Sequence, residues 1–211
     1  MINRFVIGFL KSRTFTLWLS NLLVILFLIG CEEFKNLPSQ LPNPVRDFTE
    51  KDKYIIGLRW YEYGNYDIAF KYWKPLAEDG DCDAEFSLGL LYFEGRAVGK
   101  SYETAKGWWL KSAKQGQPDA LLGLGVTFSN EEIPYSPFNC RDGCGAGGNL
   151  IEAYKWSSLA SEMGYGIEKR QADRLLEKIR DQLSAEDINE GDKIVEEWKP
   201  DPSLCTPRRG L

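Results

Sequence analysis

The distribution of apolar residues divides the chain into an N-terminal apolar run and a longer region with helical periodicity. Residues 15–30 are apolar at all but three positions, and a polar stretch with three prolines follows. Beyond it, apolar and small residues recur four positions apart, as in Ala69, Trp73 and Ala77. A four-residue spacing places side chains on one face of an α-helix. The pattern therefore predicts a string of amphipathic helices over residues 51–198.

The helical region is internally repeated with an offset of 36 residues. Nine positions match, most of them alanine, glycine or aromatic: Tyr66 with Tyr102, Ala69 with Ala105, Trp73 with Trp109, Ala77 with Ala113, Gly80 with Gly116, Ala84 with Ala120, Leu88 with Leu124, Gly89 with Gly125, and Tyr92 with Phe128. A partial copy precedes these, and a third begins 12 residues late, at Ala153, Trp156 and Gly164. A period in the mid-thirties is typical of stacked helix pairs.

The repeated glycines are predicted to have two different purposes. Gly89 and Gly125 lie inside helices, where glycine costs about 1 kcal/mol relative to alanine. Because they recur at the same place, we expect them to allow close approach of neighbouring helices. Gly80 and Gly116 are expected to end the second helix of each pair in the left-handed conformation.

The repeated residues resemble the Sel-one-like repeat, a relative of the tetratricopeptide repeat. The matching segments are "NYDIAFKYWKPLAEDGDCDAEFSLGLLYFEG" and "SYETAKGWWLKSAKQGQPDALLGLGVTFSNE", and the likeness extends over about residues 55–198. The resemblance implies an all-α, right-handed α-solenoid of about three to four repeats. Ser184 with Asp187 predicts the capping box of a closing helix that ends at Trp198, before a C-terminal tail of residues 199–211.

The N-terminal apolar run has the organisation of a secretory signal. Arg4, Lys11 and Arg13 give a positive start, and no acidic residue occurs before Glu32. The 16-residue apolar core is shorter than the roughly 20 residues that a membrane span requires. An uncleaved anchor, lengthened by apolar residues upstream, is the alternative.

The residues LIGC at positions 28–31 resemble the bacterial lipobox. The resemblance implies a signal peptide of residues 1–30 and lipidation of Cys31, with the alternative of a buried cysteine in a signal anchor. Acyl chains contribute about 0.8 kcal/mol per buried methylene and would hold the protein at the membrane. Residues 31–50 then form a tether. Glu32 stands where an inner-membrane retention signal has aspartate, which favours the outer membrane over the inner membrane of a bacterial envelope.

Charge and composition exclude several classes of function. The first 30 residues hold three of the 26 basic residues and none of the 31 acidic ones, so the remainder carries a net charge of −8. That charge argues against nucleic acid, and membrane contact is expected only through acyl chains on Cys31. The chain has no histidine, which excludes histidine-based triads and the commonest zinc ligand. No cofactor is expected.

An enzymatic alternative comes from cysteine-rich relatives of this repeat, which are described as penicillin-binding or β-lactamase-like. Their cysteines recur in each repeat, whereas Cys82 is followed 36 positions later by Pro118. Catalysis by carboxylates, lysine or cysteine stays open in principle. We expect that the protein is not an enzyme.

An insertion at residues 129–149 delays the third repeat and contains two of the four cysteines that follow Cys31. Cys140 and Cys144 share one turn and are the first candidates for a disulfide. Cys82 and Cys205 remain for a second. A metal site would need two further ligands, and the glycine-rich "GCGAGG" lacks the strand and the lysine of a phosphate-binding loop. The insertion is expected either to contact a partner or to have no contact role.

Aromatic residues fall into two groups by register. Those at repeat positions are expected in the core: Trp73, Tyr92, Trp109 and Trp156. Those that fall off the core register or in loops are candidates for an exposed, partner-binding surface: Trp60, Tyr63, Tyr135 and Phe138. Solenoids offer extended surfaces to protein partners.

The leading hypothesis is therefore a membrane-anchored, periplasmic protein–protein interaction module that binds or scaffolds a protein of the bacterial envelope. Two alternatives remain open at this point. One is an immunity protein that neutralises a toxin delivered into the periplasm, and the other is a structural spacer between membrane and cell wall.

Overall fold

Eight α-helices make up the part of the chain that the computed structural model describes, namely residues 49–131, 138, 140, 144, 148–201 and 205. In chain order they are α1 (Glu50–Glu62), α2 (Tyr66–Glu78), α3 (Cys82–Glu94), α4 (Tyr102–Lys114), α5 (Pro118–Ser129), α6 (Leu150–Met163), α7 (Gly166–Arg180) and α8 (Ala185–Glu197). The predicted signal peptide, Cys31 and all but the last two residues of the predicted tether lie outside the described residues. None of the described helices has the length and apolar character needed to cross a membrane.

The first six helices pack as three consecutive pairs, α1 with α2, α3 with α4, and α5 with α6. Each helix from α1 to α6 packs against the next one along the chain, α5 also packs on α7, and α6 on α8. Two side-chain contacts join α1 to α3: the Tyr54 and Ser87 hydroxyl oxygens lie 3.2 Å apart, and the Tyr61 hydroxyl donates to Glu94 at 2.7 Å. The predicted all-α fold of paired repeat helices is confirmed.

A glycine facing a tryptophan sets the spacing within the first two pairs. A Cβ built on Gly89 would lie 2.5 Å from Cδ1 of Trp109, so no side chain fits there. The Trp109 indole N–H donates to the Phe86 carbonyl at 3.1 Å, three residues before the glycine. The first pair repeats this arrangement with Gly57 and Trp73, whose indole donates at 3.2 Å to the carbonyl three residues before Gly57. Close approach is the reason for both glycines, as predicted for Gly89.

In the third pair the residue that faces the helix glycine is a serine instead of a tryptophan. Ser157 faces Gly125, and a Cβ on that glycine would lie 2.6 Å from Ser157 Oγ and 3.4 Å from Leu175 of α7. Trp156 is 3% exposed and meets Trp198 in an edge-to-face contact with ring centroids 5.2 Å apart. At the glycine that a tryptophan contacts in the earlier pairs, the neighbours here are therefore Ser157 and Leu175 of α7.

Turn and cap residues end the helices where the sequence predicted. Gly80 and Gly116 follow α2 and α4 with φ of 89° and 82°, in the left-handed region. Ser184 and Asp187 form the capping box of α8, with reciprocal bonds between each side chain and the other residue's N–H. The tail then returns to α4, since the Asp201 N–H donates to the Lys114 carbonyl at 2.9 Å. This bond satisfies a carbonyl that the end of α4 leaves open.

Candidate protein-binding edge

The helix pairs have two edges, because turns within pairs and turns between pairs lie at opposite helix ends. The edge formed by the first two within-pair turns is rich in aromatic residues. We call it the aromatic edge, and it consists of Trp60, Tyr61, Tyr63, Tyr66, Glu94 and Arg96.

Among the described residues, Tyr63 is the most exposed of the large hydrophobic residues, with 80% of its surface accessible. It caps the end of α1, where its N–H donates to the carbonyls of Arg59 and Tyr61, and Gly64 then turns the chain with φ of 76°. The half-buried Trp60 supports it edge-to-face, with ring centroids 6.4 Å apart. An exposed aromatic ring held in place by a second ring offers contact area at low cost in side-chain entropy.

A polar network beneath this pair joins α1, α2 and the loop after α3. The Tyr61 hydroxyl donates to Glu94 at 2.7 Å, and its ring lies 5.3 Å from that of Tyr66. Burial, reinforced by the bond to Glu94, raises the pKa of Tyr61 well above its usual value, so the hydroxyl stays protonated and remains a donor. Burial also raises the pKa of Glu94, although Tyr61 and Arg96 oppose that effect.

Arg96 occupies the centre of the network. Its guanidinium carbon lies 4.4 Å from the ring centroid of Tyr66 and 5.8 Å from that of Tyr61. Its Nε lies 3.4 Å from a Glu94 oxygen, and one terminal nitrogen donates to the Tyr66 hydroxyl. The side chain is nevertheless 40% exposed. Two ring faces and an ion pair therefore fix the orientation of a cation that solvent can reach.

The structure places three of the four predicted surface aromatics, each in a different environment. Tyr63 is exposed and Trp60 is half-buried beside it. Tyr135 lies outside the described residues. Phe138 is only 1% exposed, so the expectation that it belongs to an exposed surface is corrected.

Phe138 belongs to the insertion, but its ring packs in the core between the second and third pairs. Its ring meets Trp109 edge-to-face at 5.3 Å and lies 6.1 Å from Phe93 and 6.2 Å from Phe86. A Cβ on Gly123 of α5 would lie 3.0 Å from it, so this glycine makes room for the ring. At Phe138, therefore, the insertion contributes a side chain to the hydrophobic core. Neither expectation for the insertion, contact with a partner or no contact role, included this.

The cysteines form the two pairings that were considered from the sequence. Cys140 is joined to Cys144 within the insertion, and Cys82 at the start of α3 is joined to Cys205 in the tail. All four are at most 6% exposed. Cys82, Asp83 and Cys205 bring their ligand atoms within 4.8 Å of one another. Disulfide sulfurs are not the thiolates that bind metals, so in this state the group is structural.

The opposite edge buries carboxyl groups against glutamine amides. Gln115 donates to Glu85 at 2.8 Å, and Gln117 donates to Asp83 and Asp119 at 3.3 Å each. Burial raises the pKa of Glu85 to about 7 and that of Asp119 to about 6, the latter with help from the nearby charge of Glu168. These side chains tie the second and third pairs together across the turns between them.

Comparison with known proteins agrees with this geometry. The family model described as "Sel1 repeat" matches residues 53–81, 82–117 and 142–165. These segments are Sel1 repeats. The first two matches cover the pairs α1–α2 and α3–α4, and the third covers α6 and the residues immediately before it.

Two solved structures are similar to the Sel1 repeat array. A protective antigen of uropathogenic Escherichia coli that displays an SLR fold aligns over 74% of this chain with a TM-score of 0.62 and 19% identity. The chain spans only 31% of that protein's length. A Sel1 repeat protein from Oxalobacter formigenes aligns over 59% of this chain and 88% of its own, with a TM-score of 0.46 and 22% identity. The likeness to the first structure shows that the array has the SLR fold.

Sequence reasoning found the exposed aromatic pair of the aromatic edge but missed its charged centre. Trp60 and Tyr63 were recognisable because they lie off the core register. Glu94 and Arg96 flank Gly95 in what looks like an ordinary polar turn. Only the proximity of Tyr61, more than 30 positions away, shows that the turn belongs to an aromatic network.

Proposed function

We propose that this Sel1 repeat protein is a non-enzymatic interaction module that binds a protein partner through its aromatic edge, while anchored to the bacterial envelope by lipid on Cys31. Tyr63 carries the proposal, because its ring is 80% exposed and is held by Trp60. Sel1 repeats generally mediate protein–protein interactions. Aromatic side chains of this kind are enriched among the residues that dominate binding energy.

The buried disulfides support a periplasmic location. Disulfides persist in oxidising compartments and are rare in the bacterial cytosol. The lipobox-like sequence before Cys31 and the acidic Glu32 after it support anchoring, with the outer membrane favoured over the inner membrane. The 18 residues between Cys31 and the start of α1 span at most about 3.3 Å each, which sets the reach of the proposed anchor at some tens of ångströms.

The absence of catalysis is part of the proposal and is supported by chemistry. The chain has no histidine. Glu85 and Asp119, whose pKa values burial moves towards neutrality, are each hydrogen-bonded to a glutamine amide between packed repeats. Such an arrangement suits cohesion of the array better than proton transfer to a substrate.

Site-specific photocrosslinking of the full-length protein in living bacteria tests the proposal. A photoreactive phenylalanine derivative replaces Tyr63 in one strain and Ile167 in the control strain. Ile167 is 59% exposed and lies in the first turn of α7, at the opposite edge of the array. We expect one discrete crosslinked protein from position 63 and none from position 167. Identical products from both positions, or no product from either, would contradict the assignment of the aromatic edge.

A second variant tests the anchor separately. Cys31→Ser is expected to abolish lipidation, detected by mass spectrometry of the mature N-terminus, and to change the fractionation of the protein. An unprocessed N-terminus in the unmodified protein would refute the lipoprotein assignment without affecting the crosslinking result.

A further inference from the structure

Arg96 is oriented more firmly than a surface arginine needs to be. Its guanidinium stacks on Tyr66 at 4.4 Å, and Glu94 holds its Nε at 3.4 Å. Surface arginines normally sample many rotamers, and fixing one costs side-chain entropy. Here the protein has met that cost before any partner arrives.

The backbone around Arg96 adds a second sign of constraint. Gly95 and Ala97, on either side of it, have φ of 71° and 63°. The left-handed region suits glycine but is unfavourable for alanine, which lacks a side-chain group to compensate. Strained non-glycine residues cluster at binding and catalytic sites, where the surrounding structure holds them. The turn therefore directs Arg96 at an energetic cost.

Arg96 also has unused hydrogen-bonding capacity. A guanidinium has five N–H donors in a planar fork. In the described part of the chain, Nε pairs with Glu94 and one terminal nitrogen with Tyr66, while the other terminal nitrogen has no hydrogen-bond partner. Arg96 is 40% exposed, whereas Glu94 is 15% exposed, so an approaching ligand meets the cation before the acid.

We propose that Arg96 is a carboxylate-binding residue that receives an acidic side chain of the protein partner. This inference rests on the proposed function, and it names the chemistry that the aromatic edge recognises. The free donors of Arg96 match the two oxygens of a carboxylate. Tyr63 lies on the same aromatic edge, and its exposed ring offers a separate apolar contact to the partner.

Arg180 provides a matched control within the same chain. Its guanidinium lies 5.5 Å from the ring centroid of Tyr154 and donates to that hydroxyl at 3.2 Å. The Tyr154 hydroxyl in turn donates to Asp192 at 2.7 Å. This second arginine–tyrosine pair ties helices together without an exposed aromatic neighbour comparable to Tyr63, so its replacement tests for general effects of losing an arginine.

Titration of the full-length chain in detergent micelles tests the assignment. The probes are an acetylated, amidated tetrapeptide AFEA, its uncharged analogue AFQA, and inorganic phosphate. Arginine Nε and backbone amide signals in ¹⁵N NMR report binding, so the Arg96 variants are followed through the amides of Gly95 and Ala97. Loss of one Nε signal in Arg96→Lys assigns Arg96. We expect saturable shifts of the Arg96 signal by AFEA and about tenfold weaker binding of AFQA.

The variants separate recognition from structure. Arg96→Gln and Arg96→Lys are both expected to weaken AFEA binding about tenfold, because lysine keeps the charge but not the planar fork. Arg180→Gln is expected to leave it unchanged. Thermal unfolding checks that each variant is folded. If Arg96→Gln does not fold, Arg96→Lys alone tests the inference.

Several outcomes would overturn the inference. These are equal binding of AFEA and AFQA, no saturation by about 10 mM AFEA, tighter binding of phosphate than of AFEA, or an equal loss in the Arg180→Gln control. If the photocrosslink from position 63 persists in Arg96→Gln, the proposed function stands and the role of Arg96 falls.

Discussion

The disulfide between Cys82 and Cys205 is expected to stabilise the fold far more than the disulfide between Cys140 and Cys144. Contacts in a repeat array are mostly between neighbours, so an array can unfold from its ends. Cys82 lies in the second pair, whereas Cys205 follows the last helix. The long disulfide thus couples distant parts of the array, and the short one closes a loop within the insertion.

The magnitude follows from the entropy that each bond removes from the unfolded chain. The paired cysteines are 123 positions apart in the long disulfide and 4 apart in the short one. Loop-closure entropy gives about 5 kcal/mol for the first and about 2 kcal/mol for the second at 25 °C. The difference of about 3 kcal/mol corresponds to about 6–12 °C in melting temperature for a protein of this size.

The assay is urea unfolding of the full-length chain in detergent micelles, with Cys82→Ser/Cys205→Ser compared to Cys140→Ser/Cys144→Ser. Both variants replace two buried half-cystines, so burial of the serines contributes similarly and the loop length is the main difference. We expect a larger loss of unfolding free energy in the first variant. Equal losses, or a larger loss in the second, would show that loop length does not determine stability here.

Two further predictions concern packing and pH. Gly89→Ala is expected to destabilise the array by about 1–3 kcal/mol through overpacking, because the new Cβ would lie 2.5 Å from an indole ring. Gly107→Ala is expected to stabilise the array by up to about 1 kcal/mol, because the added Cβ would have no atom within 4 Å. Equal changes in melting temperature for the two variants would contradict the packing argument. Burial raises the pKa of Glu85 from 4.5 to about 7, so the folded state binds its proton more tightly than the unfolded state. The unfolding free energy should therefore fall as the pH rises from 4.5 to about 7. Glu85→Gln should reduce this dependence of unfolding free energy on pH, measured by urea titration at each pH. An unchanged dependence would show that Glu85 does not cause it.

Local signals in the sequence determined the helices and their repetition. The four-residue spacing of Ala69, Trp73 and Ala77, the glycines at a fixed offset and the capping box at Ser184 all act within one helix or one turn. Such signals depend on helical periodicity and on backbone conformation, which are properties of short segments. The fold class and most helix ends were therefore predictable. The location, lipid anchor and partner remain predictions because they concern residues or molecules outside the described structure.

Tertiary structure alone decided which distant residues meet. Phe138 lies in a segment whose composition predicts an exposed loop, yet its ring is buried edge-to-face against Trp109. Arg96 joins an aromatic network because Tyr61 and Tyr66 lie across the turn from it, about 30 positions earlier. The physical reason is that contact between remote segments depends on how helices pack and where turns direct the chain. A spacing of residues along one helix contains no information about that geometry.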